Sequence, residues 1–188
     1  MIRNIVPLMG LALLASVPAV ASEAVAVPAF HSVELRGGGD VALVRGAAQR
    51  VTIVDGSSQF THIYVDREGS LKIDACSRNC PNHYRLRVEI QSPQVPDLAV
   101  DGGGQIGVGA GFAPQHRLNA AVNGGGSIDA RALEAADVAA AVNGGGDLLV
   151  RAASTLQGAV SGGGLVRYWG NPQVTSAVQG GGAVRRGY

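Results

Sequence analysis

Three consecutive glycines recur along this chain, always in the same company. Triplets start at Gly37, Gly102, Gly124, Gly144, Gly162 and Gly180, the last five separated by 22, 20, 18 and 18 residues. Two positions before each of those five stands Val100, Val122, Val142, Val160 or Val178. Four positions after each first glycine stands Ile106, Ile128, Leu148, Val166 or Val184. The residue three before is always alanine: Ala99, Ala121, Ala141, Ala159 and Ala177. Leu118, Val138, Leu156 and Val174 lie six before the last four triplets. The triplet at Gly37 joins in part, with Leu35 before it and Val41 after it. A unit this short has no way to bury an apolar face alone, so the repeat itself dictates stacking.

The offsets −6, −2 and +4 share parity, so along a strand they face one side. Stacked units then place Val over Val and Ile over Ile as core ladders. The expected fold is all-β, a right-handed parallel β-helix (solenoid) with short glycine-cornered coils and an N-terminal strand and hairpin section. Corners are assigned to Gly102, Gly103 and Gly104; Gly124, Gly125 and Gly126; Gly144, Gly145 and Gly146; Gly162, Gly163 and Gly164; and Gly180, Gly181 and Gly182. A short coil must bend sharply, and glycine reaches positive φ without a Cβ penalty. It also lets the chain pass close to a neighbouring backbone. The Ala-rich stretch Asp129 to Val142 invites a helix, but the in-register copies around it argue for strand and corner.

The chain opens with a short positive start, Met1 to Arg3, an apolar run from Ile5 to Ala15, and the small-x-small site Ala19-Val20-Ala21. This is the pattern of a secretory signal peptide over residues 1–21, too short in its apolar run to span a membrane. A second small-x-small site, Ala24-Val25-Ala26, leaves the cut position open. Residues 22–29 then read as a linker and 30–188 as one domain, with a β-rich part at 30–97 and glycine-rich coils at 98–188. In the β-rich part, "SVELRGGGDVALVRG", "RVTIVDG", "THIYVDREGSLKIDA" and "YRLRVEIQSP" alternate apolar and polar residues. Turns at Asp55-Gly56 and Glu68-Gly69 suggest that several of these strands pair as hairpins. Cys76 and Cys80 fall between two of them, at an expected hairpin tip, and in an exported chain they are expected to form a disulfide. A metal site built from Cys76, Cys80 and His83, with His62 nearby, would lack the second ligand pair that zinc favours.

The formal charge of +1 invites no nucleic-acid reading. Solenoids that cleave polysaccharides need paired carboxylates on one face. Here Asp101, Asp129, Glu134, Asp137 and Asp147 occupy different repeat columns, and His31, His62, His83 and His116 lie outside the best-defined repeats. Arg131 and Arg151 share a column, read as a solvated face. Nucleophile-elbow and zinc-helix motifs are absent. "GGGD" at Gly144 to Asp147 resembles a calcium-binding repeat, but its period is wrong and the Asp does not recur. The expected role is therefore a non-catalytic scaffold or binding protein with no cofactor and no metal. Tyr168 and Trp169 are the candidate contact surface. The competing reading places Tyr168 inward, like Val108 and Val150, with Trp169 over the final corner. A glycan or protein of the cell envelope is the expected partner class, and an open last coil could pair with a second copy.

The "V-x-G-G-G-x-[IV]" blocks, the transition "LRVEIQSPQVPDLAVDGGG" and the segment "YWGNPQVTSAVQGGGAV" together resemble the bacterial head GIN domain family, from about Phe30 to Arg185. Tyr168, Gly170 and Pro172 carry the last element. The resemblance implies a β-helix-like fold, an exported location in the periplasm or at the cell surface, and an adhesin-like role, and it brings no catalytic residues. An auto-transporter passenger is followed by a membrane barrel of alternating strands. No such strands follow the last coil up to Tyr188, so export is expected and surface display is not. A carbohydrate-binding or carbohydrate-active β-helix is the alternative reading.

Overall fold

A computed structural model describes residues 22–188, so the leader read over 1–21 lies outside the described residues. The fold is all-β. Its strands are β1 (Glu23–Val25), β2 (Ser32–Gly37), β3 (Asp40–Arg45), β4 (Arg50–Asp55), β5 (His62–Val65), β6 (Ser70–Asp74), β7 (Arg87–Ser92) and β8 (Asp97–Gly102). There follow β9 (Gln105–Val108), β10 (Gln115–Gly124), β11 (Ser127–Gly144), β12 (Asp147–Gly162), β13 (Leu165–Trp169), β14 (Gln173–Gln179) and β15 (Ala183–Arg186). They join in one continuous sheet curled nearly closed around one apolar core.

Most pairings are parallel. On one side the order is β6, β2, β8, β10, the second half of β11, the second half of β12, then β14. On the other it is β7, β3, β9, the first half of β11, the first half of β12, β13, then β15. A corner links each strand of the first series to one of the second, so the sheet is built in tiers. The glycines align across tiers: Gly37 pairs with Gly102, Gly102 with Gly124, Gly124 with Gly144, and Gly144 with Gly162. Gly37 is therefore a full member of the repeat.

The two apolar columns stack in register inside. Val100, Val122, Val142 and Val160 are at most 2% exposed, and Ile106, Ile128, Leu148 and Val166 at most 1%. Burial fades only in the last tier, where Val178 is 43% exposed and Val184 is half-buried. The alternation that made these residues strand-like thus buries even offsets and leaves odd ones outside.

Each triplet makes its corner with two constrained glycines. The first has positive φ, +107° at Gly124. The carbonyl of that residue's neighbour in the tier before, Gly102, accepts N–H bonds from both Gly125 (3.0 Å) and Gly126 (2.8 Å). At Gly126 a Cβ would lie 2.4 Å from the Gly104 carbonyl oxygen and 2.6 Å from Val100 Cγ1. A Cβ on the middle glycine, Gly125, would meet nothing within 4 Å.

Four sequence expectations are corrected. β6 and β7 do not form a hairpin with the cysteines at its tip. Each runs parallel to β2 or β3, and residues 75–86 form the corner of the outermost tier. Ala75 donates its N–H to the Arg36 carbonyl (3.1 Å), and the Leu86 carbonyl accepts from Asp40 (2.9 Å), so the long loop holds the place that a glycine triplet holds elsewhere. Alternation reports which face a residue occupies, not which strand it pairs with. Second, of the expected hairpins only β5–β6 forms, around the Glu68-Gly69 turn. Asp55-Gly56 leads away from β4, which pairs antiparallel with β7. Third, the expected linker 22–29 contains β1, antiparallel on β4, and Val25 and Val27 pack against the core. Fourth, Arg131 and Arg151 do not share a column. A register shift after Ala130 sets Glu134 beside Arg151, because the longer repeat there takes up its extra residues as a bulge that sends Leu133 into the core.

Candidate functional site

A concavity of about 600 Å³ lies outside the stack, along the odd offsets of β8, β10, β11, β12 and β14. Its floor is the alanine row Ala99, Ala121, Ala141, Ala159 and Ala177, adjacent in register across five strands. Methyl groups at these sites lie flat, so the row is lower than its flanks. One flank is the column Asp97, Asn119, Ala139, Gln157 and Thr175, polar except at Ala139. Asn119 donates its side-chain amide to Asp97 (2.9 Å), which fixes that bank. Beyond it, Thr155 donates to Asp137 (2.6 Å), and His116 lies 3.6 Å from the same carboxylate.

Charge closes the N-terminal end of the trough. Glu34 stands in the alanine row beside Ala99, and Lys72 stands beside Glu34. Lys72 bonds to Glu34, Arg36 lies 2.5 Å from Glu34, and Lys72 lies 3.5 Å from Asp66. Burial pushes the Glu34 carboxyl up, but hydrogen bonds from Lys72 and Arg36 outweigh it and hold the group below the ordinary glutamate range. These polar groups satisfy one another, which leaves the alanine floor as the open part.

The sequence-level candidates fall elsewhere. Cys76 and Cys80 form a disulfide. It lines a cleft of about 480 Å³ with Gly38, Asp40, Asp55 and Arg85. The loop is pinned from below: Tyr84 Oη accepts from the Ser57 N–H (2.9 Å), lies 2.7 Å from Thr61 Oγ1, and its ring meets Phe60 edge-on. Among the described residues no group of His, Cys, Asp and Glu is arranged to hold a metal ion. Tyr168 packs against the core. Trp169 is half-buried, with the Arg131 guanidinium 5.2 Å from its ring centroid and the Gly187 backbone against its edge. Arg131 is itself held by Asp129 at 2.6 Å, and hydrogen bonds from Arg131 keep the Asp129 carboxyl below its usual range. The indole therefore has Arg131 over its ring and Gly187 at its edge, and the rest of it lines an open cleft with Arg151 and Tyr188. The alanine row is visible in the sequence as the invariant −3 position, yet small residues outside a core carry no chemical signal, so composition alone passes over it.

A search of curated proteins finds no match. The solved structures include similar chains. A "putative adhesin" from Bacteroides fragilis has 16% identity and a TM-score of 0.49, covering 88% of this chain and 96% of that one. One of the same description from Parabacteroides distasonis has 18% identity and a TM-score of 0.44 over the same shares. A "putative lipid binding protein" from the latter organism has 14% identity and a TM-score of 0.37, covering 89% and 96%. The family profile described as "Putative auto-transporter adhesin, head GIN domain" matches residues 29–113 and 111–172. The chain belongs to the head GIN domain family.

Proposed function

We propose that this is an exported, non-catalytic binding scaffold of the bacterial cell envelope, adhesin-like in role. Its tiers are read as coils of a right-handed parallel β-solenoid, and a partner lies along the alanine trough. The observation that carries the reading is the trough itself: a flat apolar floor five strands long, banked by amides, hydroxyls and carboxylates. Such a surface offers apolar contact at low side-chain entropy, with polar groups beside it to orient what binds. Rigid strands hold it, so little ordering is needed on binding. An envelope glycan or envelope protein fits the expected location. The carbohydrate reading through Trp169 is weaker, because Arg131 already stands over the indole ring and Gly187 against its edge.

The test is retention of residues 22–188 on isolated envelopes, with Ala141→Arg and Ala159→Arg as probes. Both residues are exposed, so folding should survive. The expected result is loss of retention with unchanged thermal unfolding, while Trp169→Ala retains binding. Full retention by both arginine variants would remove the trough from consideration.

A further inference from the structure

The stack ends differently at its two ends. At the N-terminal end both strand series finish in antiparallel strands: β5 on β6, and β4 then β1 on β7. The outermost ones are short, four and three residues, and charged Asp66, Arg67 and Glu68 follow β5 directly. Short, charge-flanked edges resist further pairing. At the other end β14 pairs only with β12, and β15 only with β13. β14 has seven residues, none charged, and each of them is exposed. Val174 and Val178 are 39% and 43% exposed, whereas Leu156 and Val160, their neighbours one tier in, are 0% and 2% exposed. The core columns thus reach β14 and stop uncovered.

The β14 sequence is Gln173-Val174-Thr175-Ser176-Ala177-Val178-Gln179. It is nearly palindromic about Ser176: Gln faces Gln, Val faces Val, and Thr faces Ala. In an antiparallel pair with two-fold symmetry, residue i meets j and j meets i. Centred on Ser176, that symmetry sets Val174 of one copy opposite Val178 of the other, both on the core face. It pairs Gln173 with Gln179 on the outer face.

We propose that β14 is a homodimer edge, joining two copies tail to tail by antiparallel pairing about Ser176. The valine columns then continue from one molecule into the other. The arrangement closes at two copies, because the only long uncharged edge among the described residues is used up. Antiparallel addition is also how this fold already finishes its other end. Arg185 and Arg186 of β15 come near their symmetry mates, so like charge opposes the pairing and salt favours it. The proposal concerns the end of the stack and stands whether or not the trough binds a partner.

Sedimentation of residues 22–188 over a range of micromolar concentrations tests it. The expected result is a monomer–dimer equilibrium that tightens as salt rises. Val178→Lys should weaken the dimer by about tenfold or more, equivalent to ~1.4 kcal/mol, with only a small loss of monomer thermal stability. Ser176→Cys should give a disulfide-linked dimer under mild oxidation, since directly opposed residues lie within disulfide reach. Thr175→Cys, facing Ala177 instead, should not. A monomer at every concentration, assembly growing past two copies, or equal cross-linking by both cysteine variants would overturn the proposal.

Discussion

Substituting alanine for each glycine of one corner tests the architecture at single-atom resolution. At Gly124 the φ of +107° is foreign to a residue with a Cβ, a strain of about 1–3 kcal/mol. The new methyl would also sit 2.7 Å from the Gly102 carbonyl oxygen. That oxygen accepts two N–H bonds from the corner, so it is not free to retreat. Overpacking of this kind adds about 1–3 kcal/mol. Gly124→Ala should therefore lose about 2–6 kcal/mol, a fall in melting temperature of roughly 4–24 °C for a chain of this size. Gly126→Ala has no positive φ but meets both the Gly104 carbonyl and Val100 at closer range, so about 1–3 kcal/mol is expected. Gly125→Ala meets nothing and has no positive φ, and it stiffens the unfolded chain. It should be neutral, or stabilise by up to about 1 kcal/mol. Urea unfolding followed by far-ultraviolet circular dichroism reads all three. A loss at Gly125 equal to that at Gly124, or no loss at Gly124, would refute the corner geometry.

The remaining expectations use the same structure. Leu148→Ala should lose about 2–5 kcal/mol, since the side chain is fully enclosed, while Val178→Ala should lose far less in the monomer because it is 43% exposed; denaturation of both variants compares them. Glu34 and Asp129 have depressed carboxyl pKa values, so their stabilising contribution is present above the ordinary carboxylate range and fades as pH falls through it. Acid unfolding of Glu34→Gln should accordingly show a shallower dependence on pH than the parent protein. The export proposed above is tested by N-terminal sequencing of the chain secreted from a bacterial host: the expected start at Ser22 keeps β1, whose register on β4 would be lost by a cut after Ala26, and a start at Val27 or an uncut chain would contradict this.

Much of the repeat was legible in the sequence, and the reason is parity. Val122 and Ile128 sit six residues apart across a glycine corner, and the spacing alone puts both on the buried face. The same reasoning identifies Leu156 and Leu148 as core. What parity does not carry is tier order. Residues 70–92 stack outside residues 32–45, although they come later in the chain. A glycine triplet would have flagged that tier, but its corner is the disulfide loop, whose sequence has nothing in common with Gly-Gly-Gly. The trough was half legible. The constant alanine three before each triplet was plain, but only register across five strands turns a row of methyls into a surface. Tyr168 could be assigned from its column. The contact of Arg131 with Trp169 could not, because Arg131 reaches it from a bulge that shifts the register of the repeat.

In a stack of this kind each tier contacts only its neighbours, so identical tiers add similar stability and nothing in the core singles one out. Specific function must then attach where the pattern departs from what stacking requires. Three departures stand out. The alanine row lies outside the core, where stacking does not demand alanine, and larger polar residues at that offset would serve a merely soluble surface as well. The Cys76–Cys80 corner spends twelve residues where three glycines suffice, and Tyr84 anchors it. The β14 edge lacks the charge or brevity that protects β1 and β5. The first and third lie at opposite aspects of the terminal tiers: Ala177 faces out into the trough while Val178 faces in toward the uncovered core. Pairing through β14 would therefore leave the alanine floor open on the same face of both copies, with Ala177 of one opposite Thr175 of the other, so that the two floors meet offset by two residues and each copy keeps its own trough beside the seam.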